Sequence, residues 1–295
     1  MMKVRFWGTR GSIATPGPST MRYGGNTSCV ELRSDDQIII FDAGTGIREL
    51  GNHLLQEFKS RPLTLNIFIS HTHWDHIQGF PFFFPAYEPL NKVLLYGPPG
   101  RDKSLGRILE IQMDSDYFPV ELGDMSPHIE VSEVRDTVKV GKLTIEHFYL
   151  NHPAMCLAYR VTDGRRTVVY ATDNEPYTGT LHPVGGKKVK ATDFPTYLDE
   201  KFVEFLSQAD LYIGEAQYTQ AEYEEKRGWG HSPLESTVQF AVQANVKRLA
   251  LSHHDPLHDD KFVDQMIRDA KKLIGFYGGT VECVGAHEGM EIVIP

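Results

Sequence analysis

Ser70-His71-Thr72-His73-Trp74-Asp75-His76 follows an apolar stretch, Thr64-Leu65-Asn66-Ile67-Phe68-Ile69, and its spacing decides how the rest of the chain is read. The apolar stretch reads as a buried strand, and strand alternation turns His71 and His73 to one side. A helical turn beginning near Asp75 brings Asp75 and His76 back towards that side. Imidazole and carboxylate are ligands that divalent zinc, manganese and iron accept. Two of the four side chains serve one ion and two serve a neighbour.

The chain has 295 residues, 13 of them histidine, and its 30 Lys and Arg against 39 Asp and Glu leave a formal charge of −9. Apolar residues at 41% and charged residues at 23% are ordinary globular usage, which excludes a disordered polyelectrolyte, a collagen and a coiled coil. The acidic balance speaks against a generic nucleic-acid binder, which carries a basic face. Cys29, Cys156 and Cys283 form neither a disulfide framework nor a Cys-x-x-Cys pair, carry no assigned role, and fit a reducing compartment. Met1 to Trp7 carries no signal-like apolar stretch, and no segment reaches the ~20 apolar residues of a membrane span. The protein is therefore expected in the cytoplasm, away from membranes.

Short apolar strands alternate with amphipathic helices. Strands are expected at 29–32, 37–41, 64–69, 93–96, 142–150, 156–161, 167–171, 211–213, 248–251 and 291–294. Helices are expected at 46–58, 198–206, 233–244 and 261–274, the last with Phe262, Met266, Ala270 and Leu273 aligned. This is an α/β (α+β) pattern with helices outside strand-rich layers. With no linker, repeat or low-complexity tract, residues 1–295 read as a single domain.

His-x-His-x-Asp-His after a strand resembles the hallmark of the metallo-β-lactamase fold superfamily. Phe41-Asp42-Ala43-Gly44-Thr45-Gly46 resembles its first motif, Asn151-His152-Pro153 its next ligand histidine, Ala171-Thr172-Asp173-Asn174 its bridging aspartate, and Leu251-Ser252-His253 its final ligand histidine. The resemblance implies a four-layer αββα sandwich holding two divalent ions, zinc foremost and manganese as the alternative. It assigns His71, His73 and His152 to one ion, Asp75, His76 and His253 to the second, and Asp173 between them. Asp42 is expected to orient a ligand rather than bind metal. His254 replaces His253 if the strand register slips by one residue.

Three features resemble the phosphodiesterase branch of that superfamily, which includes ribonuclease Z and the phosphoribosyl cyclic phosphodiesterases. Position 73 is histidine, where the di-iron oxidoreductases carry a carboxylate. Gly230-His231-Ser232 resembles the branch's extra histidine motif, and Gly214-Glu215-Ala216 its Glu-Ala element. Gly8-Thr9-Arg10-Gly11-Ser12 with Tyr23-Gly24-Gly25-Asn26-Thr27 adds a weaker likeness, with backbone donors that could orient loops near the metals. Ser232-Pro233-Leu234-Glu235 reads as a capping box, which sets His231 just before a helix N-terminus, where free amides favour an anion.

The expected chemistry is in-line attack on phosphorus by a water whose pKa the two ions lower. His231 donates a proton to the leaving oxygen and Glu215 is its carboxylate partner; Asp75 stands with them in the catalytic set. In ribonuclease Z a tRNA-gripping arm is inserted between the ligand histidine and the bridging aspartate. The 21 residues from His152 to Asp173 hold only two strands and a turn. Together with the charge, this favours a small cyclic phosphodiester, either a cyclic nucleotide or a phosphoribosyl cyclic phosphate, over a long nucleic acid.

The rivals are a hydrolase of carboxylic esters, thioesters or lactones, and a non-catalytic metal-bearing sensor. A homodimer is compatible with all three. Lys187, Lys188 and Lys190 belong to a basic stretch that reads either as a phosphate-contacting lid or as a solvated hairpin. Trp74 and Trp229 flank the motifs as base-stacking groups or as pocket wall.

Overall fold

The computed structural model describes residues 1–59, 61–125, 128–177 and 197–295; Lys187, Lys188 and Lys190 lie outside them. The chain begins with β1 (Met2–Gly8), β2 (Cys29–Ser34), β3 (Gln37–Phe41), α1 (Ile47–Phe58), β4 (Thr64–Phe68), the single turn α2 (Trp74–Ile77), β5 (Lys92–Gly97), α3 (Leu105–Gln112) and β6 (Ile129–Glu133). It continues with β7 (Val138–Val140), β8 (Leu143–Tyr149), β9 (Leu157–Thr162), β10 (Thr167–Ala171), α4 (Tyr197–Leu206), β11 (Leu211–Glu215), α5 (Gln220–Lys226), α6 (Leu234–Gln243), β12 (Arg248–Ser252), α7 (Asp260–Phe276), β13 (Glu282–Gly285) and β14 (Glu291–Ile294).

The described strands form two seven-stranded sheets, ordered β14-β1-β2-β3-β4-β5-β6 and β13-β12-β11-β10-β9-β8-β7. β3 to β6 run parallel, as do β10 to β13. Alternation along each strand explains the layers. From β3, Ile39 and Phe41 enter the cluster between the sheets, while Ile38 and Ile40 pack outward with Leu50 and Leu54 of α1 and Leu109 of α3. From β10, Val168 and Tyr170 face inward; Val169 and Ala171 pack with Phe202 of α4, Val238 of α6 and Met266 of α7. The expected αββα sandwich is the observed architecture.

Three local expectations differ from the structure. β1 occupies a segment where no strand was expected; its buried Met2, Val4 and Phe6 alternate with the half-buried Lys3 and Arg5. The buried stripe of α7 is Val263, Met266, Ala270 and Ile274, turned about one residue from the expected one, and Phe262 instead stacks on His258. The capping box expected at Ser232 does not form. α6 starts at Leu234 with Pro233 as its cap, because the Ser232 hydroxyl donates to Asn174 O and its N–H to Glu215. A capping box forms instead at Thr219 and Glu222, at the start of α5.

Phe41 ties the sheets together. It is fully buried and stacks on Tyr170 of the opposite sheet at 5.0 Å between ring centroids. Phe41→Ala is expected to lower the unfolding free energy by about 3–5 kcal/mol, read as a fall in the urea midpoint at constant slope.

Candidate metal centre

Strands β3, β4, β10, β11 and β12 end at one edge of the sandwich, and the residues that follow them meet there. Three turn residues, Asp42 (φ 60°), Asp173 (φ 61°) and His253 (φ 57°), take the left-handed conformation. Asp and His tolerate it better than most residues, though it still costs roughly 1–2 kcal/mol. The turn swings each side chain out of strand alternation and into the cleft. His73 is extended (φ −66°, ψ 152°), and the chain then coils into α2, which carries Asp75 and His76 back as the spacing predicts. His71, His76 and His253 are fully buried, whereas His73 is exposed and His152 half-buried, so the centre has a deep end and an open end.

Hydrogen bonds set which nitrogen of each ring faces the cleft. His76 Nδ1 lies 2.7 Å from Asp42 Oδ2, His253 Nδ1 2.9 Å from Gln217 Oε1, and His152 Nδ1 3.0 Å from Gly230 O. Each partner only accepts, so each Nδ1 carries a proton that it donates. The Ser70 hydroxyl donates to Asp42 and accepts from His71 Nδ1 at 3.1 Å. Four Nε2 lone pairs therefore point inward. His76 Nε2 lies 3.2 Å from His253 Nε2 and 3.3 Å from Asp173 Oδ2, and His253 Nε2 lies 3.2 Å from Asp75 Oδ2. His71 Nε2 is buried without any hydrogen-bond partner among the described residues. Lone pairs and carboxylates packed this closely repel unless a cation stands among them, so the donor set fits divalent metal.

Among the described residues, four groups of side chains present donor atoms within 4.8 Å of one another: His71, His73 and His152; His71, His76 and Asp173; Asp75, His76 and His253; and Asp173, His231 and His253. The seven residues expected as ligands thus come together, and Asp173 stands between the two halves.

Burial, with the neighbouring imidazoles, holds His71 well below its ordinary pKa, and burial brings His152 down to about 4; both are neutral rings, as metal binding requires. Burial opposes the charge on His231, but Glu215 and then Asp173 outweigh it and raise the pKa to about 9. The Glu215 contact expected of His231 is present, Nδ1 to Oε2 at 3.1 Å. His231 is closer to the ligands than expected, with its ring 5.3 Å from that of His253. It is not at a helix N-terminus, since α6 begins three residues later and Glu215 takes the Ser232 N–H.

His254 turns away and bonds Ala286 O, which leaves His253 in the cluster. Asp42 orients His76, as expected. Ser12 N–H donates to Asp75 Oδ2 at 2.8 Å, which gives the opening glycine loop its place. Cys156, read as having no role, packs its sulfur 3.7 Å from His71 Nδ1. Gln217 and the Gly230 carbonyl escaped sequence reasoning. Gly230 lies at φ 88°, and a Cβ there would stand 2.2 Å from His152 Nδ1, a constraint that Gly-His-Ser alone does not announce.

Comparison with known proteins places this geometry. The model of the beta-lactamase superfamily domain matches residues 37–254. Ribonuclease Z of Streptococcus suis (strain 98HAH33) is 24% identical over 307 residues, covering 92% of this chain and 95% of that protein. The metallo-beta-lactamase fold protein YhfI from Bacillus subtilis superposes with a TM-score of 0.68 at 21% identity, covering 99% of this chain and 98% of the other. Unliganded yeast PDE1 gives 0.70 at 14% identity, covering 99% of each chain. The chain belongs to the beta-lactamase superfamily and is a metal-dependent hydrolase within it.

Proposed function

We propose that this protein is a phosphodiesterase that hydrolyses a small cyclic phosphodiester, a cyclic nucleotide or a phosphoribosyl cyclic phosphate, at a two-metal centre. The carrying observation is the inward convergence of imidazole lone pairs and carboxylates beside a paired His231 and Glu215. Zinc suits the imidazole-rich set best and manganese second. Bound there, two divalent ions supply Lewis acidity towards phosphoryl oxygens and bring the pKa of water near neutrality.

The chain's own residues do the rest. His71, His73 and His152 would hold one ion and Asp75, His76 and His253 the other, with Asp173 between the two groups. Asp42, Gln217 and the Gly230 carbonyl keep the rings turned inward. His231 Nδ1–H donates a hydrogen bond to Glu215, which keeps the ring charged and leaves Nε2–H to protonate the departing alkoxide. Residues 1–295 act as one domain, since both sheets supply the cluster. Among the described residues no helix is long and apolar enough to cross a membrane. Three buried free cysteines fit a reducing cytoplasm.

A cavity of about 500 Å³ opens beside Thr72 and His152, within the usual span of small-ligand pockets. Its walls include Pro98, Pro99, Ile108 and Met155 as apolar surface, and Arg101 and Lys103 as exposed cations. Neither cation has an ion pair among the described residues. The interval from His152 to Asp173 holds only β9 and β10 with their connections, leaving no room for an inserted arm. RNA is the second reading, favoured by the relatives named ribonuclease Z.

The deciding experiment strips the protein with chelator, restores zinc or manganese separately, and assays cyclic mono- and dinucleotides, bis(p-nitrophenyl) phosphate, a 3′-extended RNA, and an ester and lactone panel. Metal-dependent turnover of the cyclic diesters is expected; RNA cleavage alone, or ester turnover without phosphodiester turnover, sinks the proposal. His231→Ala is expected to lower kcat about 10²–10⁴-fold with an alkoxide leaving group and far less with p-nitrophenolate, which needs no proton. Arg101→Ala and Lys103→Ala are each expected to raise KM about fivefold, roughly 1 kcal/mol, with kcat unchanged, as initial-rate kinetics would show.

A further inference from the structure

Glu175 is nearly fully buried, yet no basic side chain pairs with it among the described residues. Its carboxylate is satisfied by neutral donors instead. Oε1 accepts from Tyr223 OH and Gly228 N–H, each at 2.8 Å; Oε2 accepts from Gly230 N–H at 2.9 Å and Gly228 N–H at 3.0 Å. Gly228 (φ 83°) and Gly230 (φ 88°) both take left-handed backbone, which turns their N–H groups to one side as an anion-binding nest. The anion in this nest is the protein's own side chain.

Gly230 uses both ends of its backbone. Its N–H is held by Glu175, and its carbonyl accepts from His152 Nδ1. His231 is the next residue. Glu175 itself is anchored beside the site, because its own N–H donates to Asn151 O, next to His152, at 2.9 Å.

We infer that Glu175 is a positioning residue, whose carboxylate in the Gly228–Gly230 nest sets the ring of His152 for metal and the place of His231 beside it. The requirement is for a carboxylate in particular. A glutamine of the same length turns an N–H₂ towards backbone N–H groups, leaving a buried donor without an acceptor. The part concerning His231 rests on the proposed phosphodiesterase; the part concerning His152 rests only on metal binding.

The test titrates metal-free Glu175→Gln with zinc against a chromophoric chelator, beside wild type and Tyr223→Phe. One zinc-binding step is expected to weaken about tenfold, the scale at which groups orienting a ligand act. The other step stays as in wild type. Tyr223→Phe removes a donor outside the nest and keeps both steps. In kinetics, Glu175→Gln is expected to lower kcat more for an alkoxide than for a p-nitrophenolate leaving group. An unchanged zinc isotherm overturns the inference. So does equal weakening of both steps with a lower melting temperature, the mark of a general structural role. If wild type hydrolyses no phosphodiester, the proposed function fails, while the zinc titration still decides the role of Glu175 at His152.

Discussion

The Asp42 carboxylate is the interaction on which the site and the joining of the sheets both depend. It is fully buried and accepts four hydrogen bonds, from Ser70 N–H, Ser70 Oγ, His76 Nδ1 and Tyr170 OH. Ser70 and His76 follow β4 in one sheet, and Tyr170 belongs to β10 in the other. A buried carboxylate left unpaired costs several kcal/mol, so these donors must all arrive together. The one group therefore couples sheet-on-sheet packing to the direction of the His76 ring.

Around it, the work is divided between layers. Parallel strands, buried on both faces, are rigid and apolar. Their ends supply the polar turns, and left-handed residues there turn Asp42, Asp173 and His253 towards one another. Groups that do not touch the cleft hold those that do: Gln217 for His253, Gly230 for His152, Glu215 for His231. The deep end, around His76 and His253, is closed, and the end at His73 and His152 meets the cavity. The loop that carries Arg101 and Lys103 lines that cavity.

Much of this was legible in the sequence because it is written in local spacing. His71, His73, Asp75 and His76 lie within one strand end and one helical turn, so period alone brings them together. Asp173 and His253 follow β10 and β12, apolar runs that end in a polar turn, while His152 follows the mixed strand β8. β1 was harder to read, because its outward residues are charged and only every second position is apolar. The helix α5 was hidden because Tyr223 is its one buried residue. The capping signal at Ser232 misled, because a serine hydroxyl bonds whichever acceptor the fold brings, and here that is Asn174 O.

The sequence by itself determined the architecture, the kinds of ligand and the strand ends at which they sit, since these follow from hydrophobic period and short-range chemistry. Only the tertiary structure decided which nitrogen of each ring faces the cleft, that His231 stands among the candidate ligands, and that Gln217 and the Gly230 carbonyl bond the rings of His253 and His152. Those choices depend on hydrogen bonds between residues far apart in the chain, such as Gln217 with His253 at 36 positions and Gly230 with His152 at 78, and no local pattern encodes them.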